Sequence, residues 1–148
     1  MLTDVLLELY ERDLNKLKDE VGKYEAEADL WKMGGEIPNS AGNLTLHLIG
    51  NLKHFIGTVL GGTAYVRDRD LEFSDDAVPR DLLIAGILET QAVVKETLAK
   101  LSSDDLEKTY PIEVFGRPMS TEYFLVHLAT HLNYHLGQIN YHRRFLSK

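Results

Sequence analysis

Residues 121–146 read TEYFLVHLATHLNYHLGQINYHRRFL. Phe124, Leu125, Leu128, Leu132, Leu136 and Ile139 recur at helical spacing, with Ser120 placed to cap the start, so a helix runs from about Thr121 to near the C-terminus. So long an apolar stripe needs partners, and three other segments supply them. Leu2, Leu6, Leu9, Tyr10, Leu14, Leu17 and Val21 make the first, with Thr3 or Asp4 as cap. Leu44, Leu48, Leu52, Phe55, Ile56 and Val59 make the second, opened by Asn39 or Ser40 and closed by Gly61 and Gly62. Leu83, Ile84, Ile87, Val94, Leu98 and Leu101 make the third, begun at Pro79 and followed by Ser102 and Ser103. Four amphipathic helices in a chain of 148 residues predict an all-α four-helix bundle, one domain over residues 1–148. The connections after the second and third helices are long for tight turns, so each is a candidate crossover or site lid. Within the later one, Ile112 to Phe115 is a short β-like run ended by Gly116 and Pro118, read as a small hairpin or an extended loop.

Composition narrows the chemistry. Lys and Arg number 16 against 23 Asp and Glu, a formal charge of −7, which argues against a nucleic-acid binder working through its charge. There is no Cys, so disulfides, thiolate metal sites, iron–sulfur clusters and a cysteine nucleophile are all excluded. The N-terminal stretch meets Asp4, Glu8, Glu11 and Arg12 before any long apolar run. It therefore reads as neither signal peptide nor membrane span, and a cytoplasmic protein is expected.

All six histidines fall in two segments: His47 and His54 in the second long helix, and His127, His131, His135 and His142 in the last. At about 100° per residue, His131 and His135 lie about 20° to either side of the core residue Phe124, and His127 about 60° away at the edge of the apolar face. Two imidazoles at i and i+4 can share one metal ion. His47, near the apolar border of its helix with Asn51 one turn on, is the best third ligand. Three neutral imidazoles leave coordination positions for water or substrate, as catalytic sites do, and they suit zinc, nickel or ferrous iron alike. Asn51, Gln138 and His127 are the candidate supporting or substrate-contacting groups. His54 and His142 read as packed or surface residues. Arg67 and Arg69, among Asp68, Asp70 and Glu72, read as a local charge network rather than an anion site. The zincin H-E-x-x-H is missing, as are the E-x-x-H pairs of di-iron bundles and a G-x-S-x-G elbow.

Three stretches, HLATHLNYHLGQI (127–139), NLTLHLIGN (43–51) and GGTAYVRDRDLEF (61–73), carry a family resemblance. The chain resembles the DinB-like superfamily of small four-helix-bundle proteins from about Asn39 to Asn140. That resemblance implies a divalent metal on one His of the second helix and two of the last, here His47, His131 and His135. It also implies kinship with thiol-dependent enzymes, the mycothiol-dependent maleylpyruvate isomerases and bacillithiol S-transferases, and it implies homodimers. The segment from Arg67 to Phe73 is similar to that of an uncharacterised branch. Expected chemistry is metal-dependent, acting on a small molecule: either metal-bound hydroxide for hydrolysis, or an external low-molecular-weight thiol presented to an electrophile. The alternative is a non-catalytic metal-binding or dimeric ligand-binding, stress-response bundle.

Overall fold

The computed structural model describes residues 1–147. Four long helices are present where the periodicity predicts them: α1 (Leu2–Lys23), α2 (Ala41–Leu52), α4 (Arg80–Ala99) and α6 (Thr121–Leu146). Ser40 caps α2 by accepting from the Asn43 amide at 3.1 Å, and Ser120 caps α6 by accepting from the Tyr123 amide at 3.0 Å. The first helix is capped at Met1, two residues ahead of Thr3, the nearer of the expected caps. Asp4 turns back to accept from the Met1 ammonium at 3.1 Å instead.

Side-chain pairing gives the relative direction of the helices. Asp13 pairs with Asn133 and Glu20 with Asn140, so numbers rise together and α1 runs parallel to α6. Gln91 donates to Asn15 while Lys95 reaches Glu11, so α1 and α4 are antiparallel. Phe55 meets Phe124 and His47 meets His131, which makes α2 and α6 antiparallel. Neighbours run in the order α1, α4, α2, α6 around the bundle, with helix directions up, down, down, up. The connection after α2 is therefore a crossover, and it carries the short helix α3 (Arg69–Ser74). Its length follows from having to return to the start of a parallel neighbour.

The predicted stripes are the core. Leu6, Tyr10, Leu14 and Leu17 of α1, Leu48 and Leu52 of α2, Leu83 and Ile87 of α4, and Phe124, Leu125, Leu128, Leu132 and Ile139 of α6 are buried. Each such side chain contributes about 1.5–3 kcal/mol by leaving water. Tyr10, fully buried, donates its hydroxyl to the Leu125 carbonyl at 2.6 Å.

The second helix departs from expectation at its end. Residues Lys53–Thr58 form a π-helical turn, with the Val59 amide donating to His54 O and the Gly61 amide to Ile56 O, both at 3.0 Å. The widened turn is held from outside, because Tyr110 donates its hydroxyl to the Phe55 carbonyl at 2.6 Å. Gly62, at φ +68°, ends the segment. Three short elements carry no periodic signal in the sequence: a 3₁₀ turn at Glu27–Trp31, α3, and α5 (Ser103–Glu107), the last opened by a Ser102 and Asp105 capping box. Ile112–Phe115 is loop, not hairpin. Among the described residues the one β-bridge joins Thr109 to Ser120 and pins the loop's ends. No helix among the described residues is long and apolar enough to cross a membrane.

The parallel α1–α6 seam carries a buried carboxylate whose pH response has a definite sign. Burial alone would raise the Glu20 carboxyl, but hydrogen bonds from Arg143 and Asn140 outweigh it and hold Glu20 below its ordinary 4.5. A carboxyl depressed by folding contributes stability above its unfolded value and loses it as pH falls through the folded one. Denaturant midpoints should accordingly fall below about pH 4.5 with a steeper slope in the parent than in Glu20→Gln.

Candidate metal centre

Helix α6 carries two of the three central side chains. Its i, i+4 spacing stacks His131 and His135 on one face, with ring centroids 4.5 Å apart. Helix α2 faces them with His47. The His131 Nε2 atom lies 3.1 Å from Nε2 of His47 and 3.1 Å from Nε2 of His135, and the three ligand atoms all fall within 4.8 Å of one another. Three nitrogens at about 2.0–2.1 Å from a common tetrahedral ion stand about 3.3 Å apart. Two of the three separations are close to that spacing, and the third lies within 4.8 Å.

Proton placement supports the same reading. Gln138 Oε1 accepts from His135 Nδ1 at 2.7 Å, which leaves the lone pair of His135 on Nε2. Glu72 Oε1 lies 3.1 Å from His47 Nδ1 and can only accept, so His47 also keeps its lone pair on Nε2. Arg67 Nη2, which carries two hydrogens, donates one to Glu72 Oε1 at 2.9 Å and stands 3.2 Å from the same Nδ1; the negative charge of the nearer carboxylate favours the proton on Nδ1. Two lone pairs therefore face the His131 Nε2 atom, and a single N–H there could satisfy only one of them. A cation satisfies all three nitrogens at once, so this donor set fits a metal ion. Burial, then the neighbouring His135, His47, His127 and Arg67, push His131 down to about 3. Burial likewise lowers His135 against the opposing bond to Gln138. Both rings are therefore uncharged at neutral pH, the form that ligates. His47 is buried, whereas His131 and His135 are partly exposed, so the cluster opens to solvent along α6.

The other named residues separate into distinct positions. Gln138 is exposed and orients His135. Asn51 is buried one turn beyond His47, and its Oδ1 has no hydrogen-bond partner. His131 Nδ1 is buried and unpartnered as well. His127 stacks 6.4 Å from His131 and lies outside the three-nitrogen cluster. The loop before α6 reaches this stripe, because Phe115 packs edge-on to His127 at 4.8 Å. His142 bridges Tyr24 and the Lys32 carbonyl at the far end of α6, and His54 packs against Phe55. Arg69 lies over Phe73, 5.3 Å from its centroid.

Sequence reasoning missed Glu72. It is buried, with its Oε2 accepting from Arg67 Nε at 2.8 Å. Burial alone would raise its carboxyl, but hydrogen bonds from His47 and Arg67 outweigh that and keep it below its ordinary value. The available signal was a glycine. Gly50 sits inside α2, where Gly is less favourable than Ala by about 1 kcal/mol. A Cβ built there would fall on the Glu72 carboxylate, with Cδ only 2.7 Å away. Gly50→Ala should therefore destabilise the protein by about 1–3 kcal/mol through overpacking, where propensity alone predicts a gain. Chemical denaturation reads the sign directly.

Comparison with known proteins supports this architecture. No curated protein sequence matches the chain. The fold is similar to the crystal structure of a DinB-like protein from Bacillus cereus ATCC 10987, with TM-score 0.74 at 17% identity over 95% of this chain and 89% of that one. It is also similar to the crystal structure of a conserved protein from Enterococcus faecalis, with TM-score 0.79 at 17% identity over 99% of this chain and 97% of the other. At that identity the likeness speaks for the DinB-like fold alone. The family assignment comes from the sequence itself: a family model matches residues 6–148, nearly the whole bundle including all three clustered histidines, and the chain belongs to DUF1572, a family of proteins of unknown function.

Proposed function

We propose that the chain binds one divalent transition metal through Nε2 of His47, His131 and His135 and uses it as a metal-dependent enzyme on a small molecule. The observation that carries this reading is the convergence of the three Nε2 atoms, two of them fixed as lone-pair donors by Glu72 and Gln138. Zinc, nickel and ferrous iron all suit three imidazoles. When bound, the metal supplies Lewis acidity, which lowers the pKa of water or of a thiol held at an open position.

The chain's own residues do the rest. His47, Glu72 and Arg67 form a hydrogen-bonded wall on the α2 side, with His47 and Glu72 buried. The partly exposed His131 and His135 leave the α6 side open for a substrate. Asn51 Oδ1 is an acceptor without a partner, suited to a donor on a bound molecule. Arg67 is neutralised by Glu72, so no free guanidinium recruits an anion at this wall. With no Cys in the chain, any sulfur nucleophile comes from outside as a low-molecular-weight thiol. Thiol transfer to an electrophile and hydrolysis by bound water are the two reactions the arrangement supports.

The cobalt-loaded protein separates them. A thiol that enters the site gives a thiolate-to-cobalt absorption band, and electrophile-dependent thiol consumption should follow only in metal-loaded protein. Hydrolysis of ester or amide panels without such a band favours bound water. Metal that binds without exchangeable positions and without turnover contradicts the enzyme reading.

A further inference from the structure

We infer that Glu72 is a positioning residue for His47, carried to α2 by the crossover segment from Arg67 to Phe73; the metal part of this inference rests on the reading proposed above. The crossover is docked rather than loose. Asp68 caps α3 by accepting from the Leu71 amide at 3.1 Å. Asn43, on the first turn of α2, donates through Nδ2 to the carbonyls of Glu72 at 3.0 Å and Asp75 at 2.6 Å. Phe73 closes the other side, its ring centroid 5.0 Å from that of His47. Gly50 leaves the gap into which the Glu72 carboxylate fits. Four separate features thus converge on one carboxylate.

Both of its oxygens are engaged. Oε1 takes hydrogen bonds from His47 Nδ1 and Arg67 Nη2, and Oε2 takes one from Arg67 Nε. A carboxylate engaged on both oxygens is poorly placed to remove a proton from a substrate, so Glu72 works through His47 rather than on the reacting atoms. What it does there is electronic and geometric. It fixes the Nδ1–H tautomer, points the Nε2 lone pair at His131 and strengthens His47 as a donor. The three ligands are consequently unequal: His47 is backed by a carboxylate, His135 by a neutral amide, and His131 by nothing. Arg67 holds the carboxylate in place with two nitrogens, and its stem continues the wall, with its guanidinium carbon 5.7 Å from the Phe55 ring centroid.

Two measurements test the assignment. In metal-free protein, nitrogen-15 NMR of the imidazoles should show His47 as the Nδ1–H tautomer in the parent, with that preference lost in Glu72→Ala. In chelator competition with zinc, Glu72→Ala should weaken binding about 10–100-fold, and the isosteric Glu72→Gln, which keeps an acceptor but not the charge, should fall between the two. The effect must pass through His47, so in a His47→Ala background Glu72→Ala should change affinity by less than about twofold. Equal losses in both backgrounds, or an unchanged tautomer, would mean that Glu72 only fastens α3 to α2 and would overturn the inference. Parent protein that takes up no zinc overturns the metal reading and the ligand role of Glu72 together, while the NMR result still decides its hold on His47. Should Glu72→Ala fail to fold, Glu72→Gln in both backgrounds separates the same outcomes: a loss confined to the background that keeps His47 supports the inference, and equal losses overturn it.

Discussion

Replacing His131 by Leu should abolish stabilisation by added zinc while leaving the metal-free bundle at least as stable as the parent. The imidazole stands between two lone pairs 3.1 Å away, its Nδ1 is buried without a partner, and burial already holds it uncharged. Without a cation this arrangement opposes folding, because buried polar atoms lacking partners each cost about 1–3 kcal/mol. Leucine removes them at similar volume. In the parent, zinc at about a thousand times its dissociation constant should add about 4 kcal/mol of stability, since it binds only the folded state. In the variant that increment should vanish, with metal affinity lower by on the order of 10³-fold. Denaturant unfolding with zinc and with chelator checks both halves. A variant that unfolds without metal would instead make His131 a structural residue.

Replacing Phe124 by Ala has the largest expected effect on the fold itself, a loss of about 3–5 kcal/mol. The ring is 1% exposed and ties three parts of the chain together: it meets Phe55 of the π-helical turn edge-on at 5.2 Å, Tyr110 at 4.4 Å and Phe115 of the loop before α6 at 6.0 Å. Deleting it leaves a cavity bounded by a turn whose Phe55 carbonyl depends on the Tyr110 hydroxyl. Amide exchange at Val59 and Gly61, which donate within that turn, should accelerate more than exchange in α1. A loss below about 1.5 kcal/mol, or uniform acceleration along the chain, would show that the aromatic cluster does not organise this end of the bundle.

The long helices were legible because each buries one stripe. All six apolar residues read in the last helix, from Phe124 to Ile139, are buried in the structure. The π-helical turn was not legible, since Leu52, Phe55, Ile56 and Val59 suit an α-helix equally well and the widening depends on Tyr110, 55 residues away. Helix α3 was hidden for a related reason. Its six residues are too few for a periodic signal, and tertiary contacts with Asn43, Gly50 and His47 hold it. At the site, the spacing of His131 and His135 is local and shows on a helical wheel, and His47 could be named because it borders an apolar face. Glu72 could not, because in sequence it sits in a run of charges that reads only as a local charge network. Its burial follows only from the crossover topology and from the missing side chain at Gly50. His127 lies on the same wheel yet falls outside the three-nitrogen cluster, stacked 6.4 Å from His131.

Metal stoichiometry of untagged protein decides whether His47, His131 and His135 together hold one metal ion. After loading with zinc, nickel or iron and removal of free ion, elemental analysis should give one divalent transition metal per chain in the parent and a small fraction of that in each of the three single alanine variants. A parent chain that retains no metal from any of the three, or variants that retain as much as the parent, would show that these histidines do not form a metal site.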